Sequence, residues 1–163
     1  MQKILFITDE GWPIESAPAV RIHAFKEELQ DQEVLLLQGA KEKDAKEKRT
    51  ISLKRPSEKK ILQFTYFLLK LNYTAIKVSR KEKPDAIVLS IPKYELLLCV
   101  PLLKTKKLVL DIRDSYKFID YHAYLSHFFP TGIARIIDKF VNMAIGYLLH
   151  NAIQRADIVT VAN

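Results

Sequence analysis

An α/β fold with a doubly wound, mostly parallel sheet and helices on both faces is what this sequence predicts. Three observations predict it. Short apolar runs at residues 3–8, 33–38, 86–90, 107–112 and 156–162 lack the polar alternation of half-exposed strands, as strands covered on both faces do. Stretches with helical spacing lie between most of them, so strand and helix alternate along the chain. The fourth run stops abruptly at the charged residues Asp111, Arg113 and Asp114, and open α/β sheets bind their ligands beyond the carboxyl ends of the strands.

Taken in order, Lys3-Ile4-Leu5-Phe6-Ile7-Thr8 is the first buried strand, and a loop with Gly11, Trp12 and Pro13 follows. Ser16 reads as a helix N-cap, with Pro18 in the first turn, where a missing N–H costs nothing. That helix is expected to run to about residue 30 on a stripe of Val20, Ala24, Phe25 and Leu29. The second strand, EVLLLQ, ends at Gly39, and a short strand is expected at 50–53 before Pro56. Residues 59–80 predict a long helix that is apolar over most of its circumference. Burial against a sheet and neighbouring helices explains such a helix, and a monotopic membrane contact is the alternative. Pro84-Asp85 leads into the strand at 86–90. Pro92 opens a short apolar helix at 94–103, in which Cys99 reads as a small core residue.

After the strand at 107–112 comes an aromatic-rich segment with Tyr116, Phe118, Tyr121, Tyr124, Phe128 and Phe129. It could cover a ligand, but packing is the commoner use of such rings. Thr131 is the expected cap of a last long helix, to about residue 155. Its Ile133, Ile136, Ile137, Phe140, Val141, Ala144 and Leu148 follow i, i+3, i+4 spacing. One more parallel strand closes the chain. The crossovers between parallel strands should be right-handed.

The bulk properties narrow the classes. The 163 residues suit one domain with a full core. The single cysteine, Cys99, rules out an internal disulfide framework and a cysteine metal cluster. With no signal peptide in view, a cytoplasmic protein is expected, peripheral on the cytoplasmic face of a membrane if it meets one. No apolar run approaches the roughly 18 residues of a spanning helix. The net charge is +7, and nine Lys/Arg against four Asp/Glu between Lys41 and Lys60 place +5 of it there. A solvated loop, a contact with nucleic acid and a contact with an anionic membrane surface all fit that block. No G-x-G-x-x-G follows the first strand, and neither a G-x-x-x-x-G-K phosphate loop nor a G-x-S-x-G elbow occurs. His122 and His127 miss the i, i+4 spacing of a helical metal pair, and His23 and His150 are isolated, so no metal site is expected.

The candidate chemistry lies at the carboxyl ends of the strands. Asp111 and Arg113, two apart, point to one face of their strand, and Asp114 lies just past its end. A carboxylate there suits sugar hydroxyls and a guanidinium suits a phosphate. A structural ion pair of Arg113 with a neighbouring carboxylate is the equal alternative. Arg21, near a helix start, suits an anion, or pairs with Glu15 or Asp9.

Read together, these blocks resemble the N-terminal domain of family 4 glycosyltransferases, which have the two-domain GT-B architecture. The opening strand is followed by a loop and a helix containing Ala17-Pro18-Ala19-Val20-Arg21. Glu33-Val34-Leu35-Leu36-Leu37 looks like the second strand. Lys83-Pro84-Asp85-Ala86-Ile87-Val88 looks like the "pDvv" strand, Val109-Leu110-Asp111-Ile112-Arg113-Asp114 like the "D-x-R-D" strand end, and Ala156-Asp157-Ile158-Val159-Thr160-Val161 like the "AD-x-V-x-x-V-S" strand. The chain departs from the pattern in its first loop, which has Gly11 without a paired glycine. It also has Gln32 where a His is usual, and no His near Arg113.

The resemblance covers nearly the whole chain, 1–163. It implies a single Rossmann-like acceptor-side domain, with the donor-binding C-terminal domain outside these residues. It also implies a retaining enzyme that transfers a sugar from a nucleotide-sugar donor to a lipid-linked or polysaccharide acceptor, with no further cofactor and no nucleic acid partner. The leaving phosphate can take the acceptor proton in such enzymes, and this half alone is expected to be inactive. The implied catalytic residues are Asp111, Arg113 and Asp114, and the implied substrate contacts are Gly11, Ser16, Arg21 and Tyr116. A non-catalytic, membrane-recruiting subunit of the same fold is the alternative. A flavodoxin- or receiver-like binding domain ranks last: Asp9-Glu10 supplies a receiver's acidic pair, but no phosphorylatable Asp follows the third strand.

Overall fold

Six strands build one open sheet in the computed structural model, which describes residues 2–10, 24–25, 27–29, 31–40, 49–57, 60–91, 93–112, 125–126 and 128–161. They are β1 (Lys3–Thr8), β2 (Glu33–Ala40), β3 (Thr50–Lys54), β4 (Ala86–Ile91), β5 (Lys107–Ile112) and β6 (Ile158–Val161). Their order is β3-β2-β1-β4-β5-β6, and every neighbouring pair is parallel. This is the order of a doubly wound, Rossmann-like α/β fold. Two helices longer than twenty residues accompany the sheet: α1 (Ile61–Glu82) and α2 (Thr131–Arg155). A 3-10 helix at Tyr94–Leu102 connects β4 to β5.

The alternation of side chains along each strand divides the core in two. Leu5, Ile7, Leu37, Ile87, Leu89, Leu108 and Leu110 face α1, the 3-10 helix and α2. Ile4, Phe6, Val34 and Leu36 face the other way, against Phe25 and Leu29. The Phe6 and Phe25 rings stack at 6.2 Å between centroids. Helices therefore cover both faces, which is why the strand sequences show no polar alternation.

At the amino end of the sheet, one device recurs three times. The residue just before a strand accepts a backbone N–H from the neighbouring strand or its lead-in. Gln32 Oε1 takes the N–H of Gln2 at 2.8 Å, Asp85 Oδ2 that of Lys3 at 3.1 Å, and Asp157 Oδ2 that of Leu108 at 2.7 Å. Each thereby satisfies a donor that lies beyond the ladder. The Asp residues of the "pDvv" and "AD-x-V" blocks thus have a structural task, far from the ligand edge. Gln32 performs the same task at the position where a His was expected.

Tyr94–Leu102 is a nine-residue 3-10 helix with Pro101 near its end. Proline cannot donate to the fourth residue back, and it disfavours α geometry for Val100. Asn72 of α1 ties this segment down. Its Nδ2 donates to the carbonyls of Leu68 (2.9 Å) and Glu95 (3.0 Å), and its Oδ1 accepts the N–H of Cys99 (2.9 Å). Asn72 is buried, so Asn72→Ala would strand groups that water cannot reach. A loss of about 2 kcal/mol is expected, read as a lower urea midpoint with an unchanged slope.

Two local expectations shift. Thr131 is the first residue of α2 rather than its cap. The N-cap is Pro130, whose carbonyl accepts the N–H of Ala134 at 2.9 Å. The long helix starts at Ile61 and extends to Glu82, and its apolar circumference divides. Phe67, Leu68, Leu71, Ala75 and Val78 are buried, whereas Leu62, Tyr66, Leu69 and Tyr73 are exposed. Among the described residues, no helix is long and apolar enough to cross a membrane.

Candidate functional site

Each strand carries one polar residue near its carboxyl end, and pairing sets these residues in a row across the sheet. Ser52, Gln38 and Thr8 are in register across β3, β2 and β1. Ser90, Asp111 and Thr160 are in register across β4, β5 and β6. Ile7 pairs with Leu89, so Thr8 and Ser90, one residue further on, complete the row. All six point to the face that carries Phe6, since they share its parity along the strands.

Neighbours in the row bond to one another. Gln38 Nε2 donates to Ser52 Oγ at 3.2 Å. The Ser90 hydroxyl donates to Asp111 Oδ2 at 3.2 Å, and the Thr160 hydroxyl donates to Asp111 Oδ1 at 2.9 Å. Thr8, Gln38, Ser90 and Asp111 are all buried. Asp111 is thus a cross-strand clamp, with both carboxylate oxygens engaged by the flanking strands.

A second group lies past the end of β1. Asp9 is buried, and Glu10 follows it. Arg55, just beyond β3, reaches both: its Nη2 lies 3.0 Å from Glu10 Oε1 and 3.4 Å from Asp9 Oδ2. Arg55 is held from two sides. Its backbone N–H donates to the Ala40 carbonyl at 2.8 Å, and its guanidinium lies 5.0 Å from the ring centroid of Phe64 in α1. Asp9 Oδ1 has no hydrogen-bond partner among the described residues. Burial pushes the Asp9 carboxyl up to about 6, with Arg55 and Lys93 pulling against burial and Glu10 reinforcing it. A buried carboxylate near neutrality, beside cations at a sheet edge, is a functional-site signature.

The place of these groups in the topology matters as much as their chemistry. Strand order reverses between β1 and β4, so that pair forms the switch point where such sheets open a crevice. Thr8, Asp9 and Glu10 end β1 on one side of it, and Ser90 and Lys93 follow on the β4 side. No protein-family model matches this chain. No curated protein sequence matches it either. The site must therefore be read from its own geometry.

Of the residues expected from the sequence to act here, Asp111 is at the carboxyl edge. Arg113, Asp114, Gly11, Ser16, Arg21 and Tyr116 lie outside the described residues. So do His23, His122, His127 and the greater part of the basic block, residues 41–48. Cys99 is buried, and burial pushes its thiol up to about 12, which suits a core residue and not a nucleophile. Among the described residues, no group of three or more His, Cys, Asp or Glu is arranged to hold a metal ion.

Arg55, Gln38, Ser90, Thr160 and Lys93 were not singled out from the sequence. A signal for most of them exists. Each strand has a polar residue at its carboxyl end or within two positions of it: Thr8, Gln38, Ser52, Ser90, Asp111 and Thr160. In a parallel sheet with aligned ends, that repeated position becomes a continuous row. Arg55 had no such signal, because it sits among other cations in the basic block.

Proposed function

We propose that this chain is the acceptor-side half of a retaining GT-B glycosyltransferase. A nucleotide sugar would be the donor and a lipid-linked or polysaccharide sugar the acceptor. The observation that supports this reading best is the acidic and cationic group at the β1/β4 switch point: buried Asp9 with the half-buried Glu10, Arg55 and Lys93, beside the polar row. Carboxylates there suit sugar hydroxyls, and the cations suit a phosphate. Asp111, already engaged by Ser90 and Thr160, acts in this reading as a rigid support for the strand end. Arg113 and Asp114, which follow it in sequence, supply substrate contact, and Gly11, Ser16, Arg21 and Tyr116 complete the acceptor wall.

The donor is held by a second, C-terminal domain, and closure of the two excludes water. The leaving phosphate takes the acceptor proton, so no carboxylate of this half acts as a base. Work on a lipid-linked acceptor would occur at the cytoplasmic face of a membrane, met through Lys41 to Lys60.

A titration of sugar phosphates followed by backbone amide NMR tests the reading. Shifts are expected at Thr8–Glu10, Ser90, Lys93 and Asp111–Ile112, and not at Lys3, Asp85 or Asp157 at the opposite edge. No shifts at millimolar ligand, or shifts confined to the amino end, would remove the proposal.

A further inference from the structure

We propose that the outer surface of the α1, 3-10 helix and α2 layer docks on an anionic lipid bilayer. The proposal rests on this surface alone and is independent of the transferase reading. The exposed apolar residues of α1 are Leu62, Tyr66, Leu69 and Tyr73. At about 100° per residue they share one narrow arc, opposite the buried Phe67, Leu71, Ala75 and Val78. On α2, Ile133, Ile136, Phe140, Met143 and Tyr147 are exposed at i, i+3, i+7, i+10 and i+14. They too form one stripe, turned away from the buried Ala134, Ile145 and Ala152. Both helices connect parallel strands and pack on the same face of the sheet, one on either side of the 3-10 helix that each contacts, with their stripes facing outward. Leu98 and Leu102 of the 3-10 helix, between them, are exposed as well. Leu62 retains 87% of its free surface and Tyr147 69%. Exposed apolar stripes of this kind mark an interaction surface.

Charge decides between the occupants. Within α1 and α2 there are seven cationic residues (Lys70, Lys77, Arg80 and Lys81; Arg135, Lys139 and Arg155) against two acidic ones, Glu82 and Asp138. Both acids are engaged inside the chain: Glu82 is 2.8 Å from Lys3 Nζ, and Asp138 accepts from Asn142. Lys70, Lys77 and Arg80 flank the α1 stripe, and Lys139 and Arg155 flank that of α2. A second copy would bring the same excess of positive charge against itself. An anionic bilayer complements it: the apolar stripes enter the headgroup boundary, long cationic side chains reach lipid phosphates, and Tyr66, Tyr73 and Tyr147 suit the interface. Since no described helix spans a membrane, the layer would lie on the surface.

Co-sedimentation of the full chain with phosphatidylcholine vesicles, with and without phosphatidylglycerol, is the test. Binding is expected with phosphatidylglycerol, to weaken with salt, and to fall at least about tenfold in Leu69→Glu/Phe140→Glu. Leu69→Ser/Phe140→Ser separates lost apolar contact from added negative charge and should also weaken binding. Both sites are exposed, so circular dichroism should report an unchanged fold. Binding that survives both double variants would assign it to another surface and overturn the proposal. So would a concentration-dependent dimer in ultracentrifugation together with no lipid binding.

Discussion

Gly39→Ala is expected to destabilise the chain by about 3 kcal/mol, the upper part of the range for overpacking a core. The reason is space and not backbone conformation, since no glycine among the described residues has a positive φ. A β-carbon on Gly39 would run into the Asp9 carbonyl and the tip of the Phe67 ring. The ring belongs to α1 and can give way only by moving within the core. The carbonyl belongs to the backbone that carries Asp9 into the site. The substitution should therefore also displace the Asp9–Arg55 pair. Urea unfolding measures the first effect, and a shift in the titration of Asp9 measures the second. Gly146→Ala is the control: nothing lies near a β-carbon there, the position is inside α2, and a gain of up to about 1 kcal/mol is expected from helix propensity. Equal losses at the two positions would show that the Gly39 contact has no special role.

Asp9→Asn is expected to stabilise the chain at neutral pH. Asp9 titrates near 3.8 when unfolded and at about 6 in the fold, so the native state holds the proton more tightly. Between those values the unfolded state binds fewer protons, and stability falls as pH rises. The contribution is fully present below pH 3.8 and is lost as pH passes about 6. It amounts to about 3 kcal/mol, the size of a two-unit shift for a buried group. Asparagine resembles the protonated form and removes the dependence, so the variant should gain up to that amount near pH 7.5 and only a small part of it near pH 4. Arg55→Met should act in the opposite direction at neutral pH, because it leaves a buried charge without its partner. Urea midpoints for both variants between pH 4 and pH 8 check the sign. A flat profile for the unsubstituted chain would refute the assignment.

Most strands were legible because a parallel sheet covered on both faces demands continuous apolar runs, and this chain has five short ones of that kind. Asp85 and Asp157 were legible as motif residues, though not as acceptors that complete the ladder of a neighbouring strand. That role needs residues 82 and 49 positions away. The division of α1 into a buried and an exposed apolar face was hidden for a related reason. Its sequence is apolar nearly all round, and only packing against β2 and the 3-10 helix reveals which residues the sheet covers. The same limit applies to Arg55, one cation among nine in its segment until the fold sets it against Asp9, Glu10 and Phe64.

Local pattern, then, carried the fold class and the strand positions, because periodicity and turn residues act over a few positions. Contacts between distant segments came only with the folded chain. The sheet order put β1 beside β4 and thereby made a switch point. The register aligned six separate polar residues into one row. Burial gave Asp9 its raised pKa, since the desolvation of a carboxylate depends on what surrounds it in space and not on its neighbours in sequence.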